Sequence, residues 1–446
     1  MKGFIRFYRG FYLTRRSYIT GAAIALLFAL SFYASPLEDI AKIFLLFLVI
    51  SLFVDIILVY GKNAITAQRD CLARFSNGDD NKVTITVTNQ YTFAVQLTLI
   101  DELPIQFQQR NWFRKLVVPA KSPASIIYIL QPFERGEYKF GNIIALIQSP
   151  LQLVERRYNI EAARTVYVYP SYVQMRRYSL AGVSNELQEA GAKRLRKSGH
   201  SVEFEQIKDY VRGDDYRTVN WKASARKGQL MVNTFVDEKS QQIYCLIDKS
   251  RGMKMPFGGM TLLDYAINAT LVLSNVALQK QDKAGLLTFA QKVDTFVPAE
   301  KKSTQMEAML EALYNQQTKF PDPDYETVYA YIRSRIKQRS LLVLFTNFES
   351  LYSMQRQMPY LQKIAHYHLL MVVFFENTEI DSLLQKDAAN TEDIYIQTIA
   401  EKFAFEKRQM VKELNNQGIL AVLTPPEKLT VNAMNKYLEV KGKQMI

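Results

Sequence analysis

Residues 199–227, GHSVEFEQIKDYVRGDDYRTVNWKASARK, crowd acids, bases and aromatic rings into one short run. Glu203, Asp209, Asp214 and Asp215 alternate with Arg212, Arg217, Lys222 and Arg226, and Phe204, Tyr210 and Trp221 lie between them. Paired carboxylates such as Asp214-Asp215 can hold two Mg²⁺ ions for phosphoryl transfer. The surrounding cations can equally neutralise the acids through bidentate pairs. A bare Gly-Asp-Asp is a weak signal, so a structural or docking network is expected over a catalytic centre. A second place of interest is the strand end Ile247-Asp248-Lys249-Ser250-Arg251-Gly252-Met253, where Asp248 and Ser250 can satisfy the amides of a strand-to-helix turn.

Other chemistry is thin. No GxGxxG or Walker loop follows any expected strand, which argues against a dinucleotide or P-loop enzyme. Cys71 and Cys245 stand far apart and give neither a disulfide framework nor a zinc site. His366 and His368 alternate on what reads as an apolar strand, where packing is expected rather than metal binding. The basic cluster Lys193, Arg194, Arg196 and Lys197 could meet phosphate groups, with lipid headgroups a nearer anion than nucleic acid, and no specific nucleic-acid partner is expected.

These residues must be positioned by a chain of 446 residues, long enough for two or three domains. The net charge of +13 draws partly on Lys2, Arg6, Arg9, Arg15 and Arg16, just before the first of two apolar runs. Those runs, about 17–35 and 43–60, are each near the length that crosses a hydrocarbon core of about 30 Å as a helix. They predict two N-terminal transmembrane helices, a hairpin over 1–64 joined by the acidic link Pro36-Leu37-Glu38-Asp39. Basic residues Arg15, Arg16, Lys62 and Arg69 flank its outer ends, which places both termini and the large C-terminal region in the cytoplasm. Asp55 falls inside the second run, where an ionisable group calls for a polar partner or a function.

From 65 to 171 the pattern becomes short alternating segments with turn signals, as in KVTITVTN at 82–89, and predicts a small β-sandwich domain. A polar linker and the acidic-basic run occupy 172–241. From 242 to 446 strands and helices alternate, and SLLVLF at 340–345 and LLMVVFF at 369–375 read as strands covered on both faces. That rhythm predicts a C-terminal α/β doubly wound domain.

The run FEQIKDYVRGDDYRTVNWKASAR at 204–226, with the strand ending at Asp248, resembles the DUF58 family, bacterial membrane proteins with a von Willebrand factor A-like C-terminal domain. The signature residues are Glu203, Phe204, Tyr210, Arg212, Gly213, Asp214, Asp215, Arg217, Trp221, Ser224 and Arg226. The resemblance implies a bacterial inner-membrane location and a protein-binding scaffold or adaptor rather than an enzyme, working with a MoxR-type AAA+ ATPase in assembly or activation of other complexes. It also implies an adhesion-type Mg²⁺ site of pattern DxSxS at Asp248 and Ser250, with Thr327 and Asn347 as further ligands. Gly252 departs from the pattern where a second serine belongs, and Asn347 lacks the charge of the aspartate found in many such domains. Mg²⁺ is therefore a possible cofactor of a degenerate site. The rival expectation is a Mg²⁺-dependent phosphoryl-transfer enzyme using Glu203, Asp209, Asp214 and Asp215.

Overall fold

The structure, a computed structural model, describes residues 10–33, 36–109, 111–173, 175, 203–236, 240–378, 380, 390–443 and 445. The basic cluster at 193–197 lies outside the described residues, as do the side chains of Glu203 and Phe204. The chain forms two compact units, Met1–Tyr169 and Pro170–Ile446.

The first unit opens with strand β1 (Phe11–Leu13) and helices α1 (Arg15–Leu30) and α2 (Pro36–Tyr60). Ten strands come next: β2 (Ile65–Cys71), β3 (Arg74–Ser76), β4 (Asn81–Asn89), β5 (Val95–Asp101), β6 (Phe113–Val118), β7 (Pro123–Leu130), β8 (Gly136–Phe140), β9 (Ile143–Gln148), β10 (Val154–Ile160) and β11 (Arg164–Tyr169). They make three sheets of order β1-β10-β9-β5-β6, β2-β4-β7 and β3-β11-β8. Alternation drives the burial: Val83, Ile85 and Val87 of β4 and Val95, Leu97 and Leu99 of β5 point into one core, which Val59 and Ala64 join from the end of α2 and the link after it.

Among the described residues, only α2 is long and apolar enough to cross a membrane. It starts at Pro36, seven residues before the expected 43, and so absorbs the stretch read as a link. Pro36 needs no N–H at the first helical position, and Glu38 and Asp39 sit in the first turn, where the helix dipole favours anions. Helix α1 stops at Leu30 rather than at 35, with the Ser31 amide donating to the Leu27 carbonyl. Strands β1, β2 and β10 are not legible in the sequence, because FYL, ITAQRDC and VERRYNI lack clean alternation of apolar residues.

The second unit begins with an antiparallel hairpin, β12 (Glu203–Asp209) and β13 (Met231–Val236), whose connection carries the short helix α3 (Trp221–Lys227). Beyond it lies a six-stranded sheet of β14 (Gln242–Asp248), β17 (Lys283–Phe289), β18 (Val293–Glu300), β19 (Leu341–Phe345), β20 (Leu369–Phe375) and β21 (Leu420–Thr424), while β15 (Pro256–Phe257) and β16 (Met260–Thr261) form a small separate ladder. The order is β18-β17-β14-β19-β20-β21, parallel throughout except for the antiparallel edge strand β18. Helices α4 (Leu262–Gln279), α5 (Gln305–Tyr314) and α9 (Leu429–Gly442) cover one face; α6 (Tyr325–Arg335), α7 (Leu351–Tyr367) and α8 (Thr391–Asn416) cover the other. Along β14, Ile243, Cys245 and Ile247 enter the first core and Tyr244 and Leu246 the second. That is why its sequence is apolar without a gap.

Helix α7 corrects the reading of the histidines. His366 sits in its last turn, and the His368 amide donates to the Ile364 carbonyl as the helix cap, so the pair does not alternate on a strand. Pro359 inside α7 masks the helix in the sequence, since proline ordinarily interrupts one.

Candidate functional site

The parallel strands β14, β19 and β20 bring their carboxyl ends to one edge of the sheet, the edge where open α/β sheets bind ligands. Asp248 ends β14 and is 1% exposed. Its Oδ1 accepts the Ser250 amide at 2.8 Å, and its Oδ2 accepts the Thr346 hydroxyl at 2.7 Å and the Tyr325 phenol at 3.3 Å. Burial pushes the Asp248 carboxyl above its usual range, against the pull of the Thr346, Ser250 and Tyr325 hydrogen bonds. Burial, and then the Asp248 charge, raise the Tyr325 phenol as well. Asp248 thus ties the turn after β14 to the end of β19 and to the start of α6.

The third position of the turn is closed to any side chain. A Cβ built on Gly252 would stand 2.5 Å from the Asn347 carbonyl oxygen, and the Asn347 amide donates to the Gly252 carbonyl at 3.1 Å. The Asn347 Oδ1 accepts the ammonium of Lys407 from α8 at 2.7 Å, and Lys407 also donates to the Phe348 carbonyl at 2.7 Å. Burial lowers Lys407 to about 8, with Glu349 pulling it back up. These groups line a cleft of about 270 Å³ whose walls include Phe257, Phe348, Phe375 and Phe403.

Thr327 is placed elsewhere in the local network. Its amide and hydroxyl both donate to Asp324, the N-cap of α6, at 3.2 and 2.6 Å. The hydroxyl that reaches Asp248 belongs to Thr346. The donor set does not fit a divalent ion: it has one buried carboxylate with both oxygens already accepting, a glycine where a hydroxyl belongs, and a lysine ammonium on Asn347. Among the described residues, no group of three or more His, Cys, Asp or Glu side chains could hold a metal.

In the hairpin, Asp214 and Asp215 fasten the backbone. Asp214 accepts the Val211 amide and the Lys208 ammonium, each at 3.0 Å, and these bonds, the amide first, hold its carboxyl below the usual range. Gly213, at φ +116°, supplies the turn conformation that side chains avoid. Asp215 caps the turn 216–218 by accepting the Arg217 amide at 2.9 Å, and Asp209 pairs with Lys227 at 2.9 Å. Asn220 caps α3 through the Ala223 amide, while Ser224 accepts the Met231 amide and donates to the Asn220 carbonyl, locking α3 onto β13. Tyr210 is half-buried and its amide bonds the Leu230 carbonyl. The opposite set faces solvent: Trp221 is 73% exposed and Tyr216 72%, beside exposed Arg212, Arg217, Lys222 and Arg226.

Sequence reasoning misses three residues of the rim. Thr346 has a signal, its place beside Asn347 at a strand end; Tyr325 and Lys407 lie far from Asp248 along the chain and only folding brings them in.

Known proteins offer a family match and little chemistry. The uncharacterized protein YeaD of Bacillus subtilis (strain 168) is 24% identical over 261 residues, 57% of this chain and 63% of that protein, so the match spans under two thirds of the relative. Among solved structures, the conserved hypothetical protein BatB from Bacteroides thetaiotaomicron aligns with 46% of this chain and 99% of its own at 13% identity and a TM-score of 0.30. The CARDB domain of the PF1109 protein from Pyrococcus furiosus, solved with di-metal ions, aligns with 23% of this chain and 86% of its own at 12% identity and a TM-score of 0.18. Residues 206–394, which hold most of the hairpin and the rim of the sheet apart from Lys407, match the family described as protein of unknown function DUF58.

Proposed function

We propose that this protein is a membrane-anchored adaptor that binds another protein through the hairpin 203–236, and that it works with a MoxR-type AAA+ ATPase. One observation carries this reading: Asp214 and Asp215 are spent on the hairpin's own turns, while Trp221, Tyr216 and the arginines are offered to solvent. Exposed aromatic and arginine side chains on a small fastened scaffold are what protein interfaces use as anchors. The order of the parallel sheet and its helices on both faces support a von Willebrand A-like domain in the same unit as the hairpin. Helix α2, with the shorter α1, supports a two-span anchor, and Arg15, Arg16 and Lys62 favour cytoplasmic termini. In this reading the rim at Asp248 works without a divalent ion, and Lys407 supplies its cation.

The phosphoryl-transfer reading needs carboxylates converging on an open pocket. Asp209, Asp214 and Asp215 instead each have a separate local partner. The test is affinity capture from gently solubilised membranes, wild type against the Trp221→Ala/Tyr216→Ala double variant, with and without EDTA and with nucleotide-bound Mg²⁺ controlled. An AAA+ ATPase captured by the wild type, lost with the variant and indifferent to EDTA is the expected result. Capture that ignores the variant removes the hairpin from the interface, and capture abolished by EDTA restores the metal.

A further inference from the structure

The turn between β9 and β10 has an unusual set of partners, all in the helical hairpin. Asp55, fully buried in α2, accepts the Leu153 amide at 3.0 Å, the Val154 amide at 2.7 Å and the Ser149 hydroxyl. From the start of α1, the Thr14 hydroxyl donates to the Gln152 carbonyl at 2.6 Å, the Thr14 amide to the Leu153 carbonyl at 3.1 Å, and the Ser17 hydroxyl to the same carbonyl. The polar backbone at the end of the turn is therefore satisfied by protein rather than left for water.

The level of this turn along the helices gives those bonds a purpose. Asp55 precedes the end of α2 by five residues, or about 7.5 Å at the helical rise. At the same level the outer face of α2 is apolar and open: Phe53 is 65% exposed and Ile57 56%. Tyr18 and Ile19 show the same on α1, directly after Ser17. The charged residues Glu38, Asp39 and Lys42 end before Ile43, and the apolar run from Ile43 to Tyr60 rises about 27 Å, close to the hydrocarbon thickness, so Asp55, five residues before its end, lies at the edge of the acyl region. Non-helical backbone at that depth persists only when its polar groups are bonded internally. Leu151, 43% exposed at the tip of the turn, continues the apolar belt. Charged groups begin just outside it, with Arg15, Arg16 and Lys62, and with Arg156, which donates to the Val59 carbonyl at 2.7 Å and the Lys62 carbonyl at 2.9 Å.

We propose that the 149–154 turn is a lipid-contacting foot, seated at the boundary of headgroups and acyl chains with Leu151 in the lipid, and that Asp55 is the acceptor that lets its backbone sit there. This rests on the membrane-anchored reading above and adds to it a second contact with the bilayer, made by a β-turn.

The test uses the full chain in vesicles of phosphatidylcholine and phosphatidylglycerol. A Leu151→Cys variant carries an environment-sensitive fluorophore, and Lys82→Cys, at the far end of β4 from the helix, is the comparison. Native Cys71 and Cys245 are buried, and burial raises both thiols, so they label poorly. The expected result is severalfold stronger quenching at 151 by shallow spin-labelled lipid than by aqueous iodide, with the reverse at 82. Adding Asp55→Leu should release the foot and make 151 accessible to iodide while the protein still floats with vesicles. Floating protein whose residue 151 is as open to iodide as residue 82 overturns the foot and leaves the anchor standing. Protein that does not float overturns the anchor and the foot together.

Discussion

Gly252 and Lys407 show how single residues set the chemistry of the sheet's rim. Gly252→Ser would complete the DxSxS pattern on paper, yet its Cβ must displace the Asn347 carbonyl, 2.5 Å away, which is backbone and cannot swing aside. The expected outcome is a loss of about 1–3 kcal/mol, as for other overpacked sites, read as a lower melting temperature of the solubilised chain, with no Mg²⁺-induced rise. A melting temperature that climbs with Mg²⁺ in the variant would show that the serine had rebuilt a metal site. Lys407 predicts a pH effect of definite sign. Its folded value, about 8, lies below the ordinary lysine value of 10.5, so between those limits the unfolded chain holds more protons than the folded one. Its contribution to stability therefore rises as pH climbs from about 8 toward 10.5, and is fully lost below about 8. Lys407→Met should flatten that part of the melting-temperature profile; an unchanged slope would assign it to other groups.

At the scale of elements, Arg69 on β2 shows why a strand can be hidden from its sequence. Arg69 is 7% exposed and faces inward, donating to Asp101 on β5, to the Ala162 carbonyl at 2.7 Å and to the Gly141 carbonyl at 3.1 Å. Tyr128 of β7 also donates to Asp101, and burial raises its phenol. An inward charge breaks the apolar alternation that marks strands, so ITAQRDC carries no signal until Asp101 is placed opposite it. Breaking such a pair by Asp101→Ala should cost about 3–5 kcal/mol, since it strands a buried guanidinium. Urea unfolding followed through Trp112, at the edge of that core, would detect it, and a change under about 1 kcal/mol would mean that water reaches Arg69. Conversely, β4 and the helix α4 are legible to within a residue, because KVTITVTN and LLDYAINATLVLSNVALQ each carry one unbroken period.

Across the first unit, the helical hairpin and the strands behave as one structure rather than as anchor plus domain. β1 adds to the β10 edge, Asp55 holds the turn before it, and the Tyr91 phenol donates to the Val59 carbonyl at 2.6 Å. A chain lacking residues 1–60 should therefore leave β10 as an exposed edge with unpaired amides at 153 and 154. We expect the melting temperature of its first unit to fall by several degrees against the full chain in detergent, for a loss of about 2 kcal/mol from the amides that Asp55 no longer accepts. Equal melting temperatures would show that the strands stand alone. By itself the sequence determined the features that local period and composition dictate: an apolar N-terminal region, a β-rich stretch, a parallel sheet covered on both sides, and a charged segment resembling the DUF58 signature, though not the β12–β13 hairpin that the segment forms. Those are properties of neighbours along the chain, where hydrophobic spacing and turn residues act directly. Only the tertiary structure decided which charges are already bonded. That Asp55 belongs to a turn a hundred residues away, that Thr346 rather than Thr327 reaches Asp248, and that Lys407 occupies Asn347 depend on contacts between distant segments, because the energy of a buried polar group is set by the partner that folding brings to it.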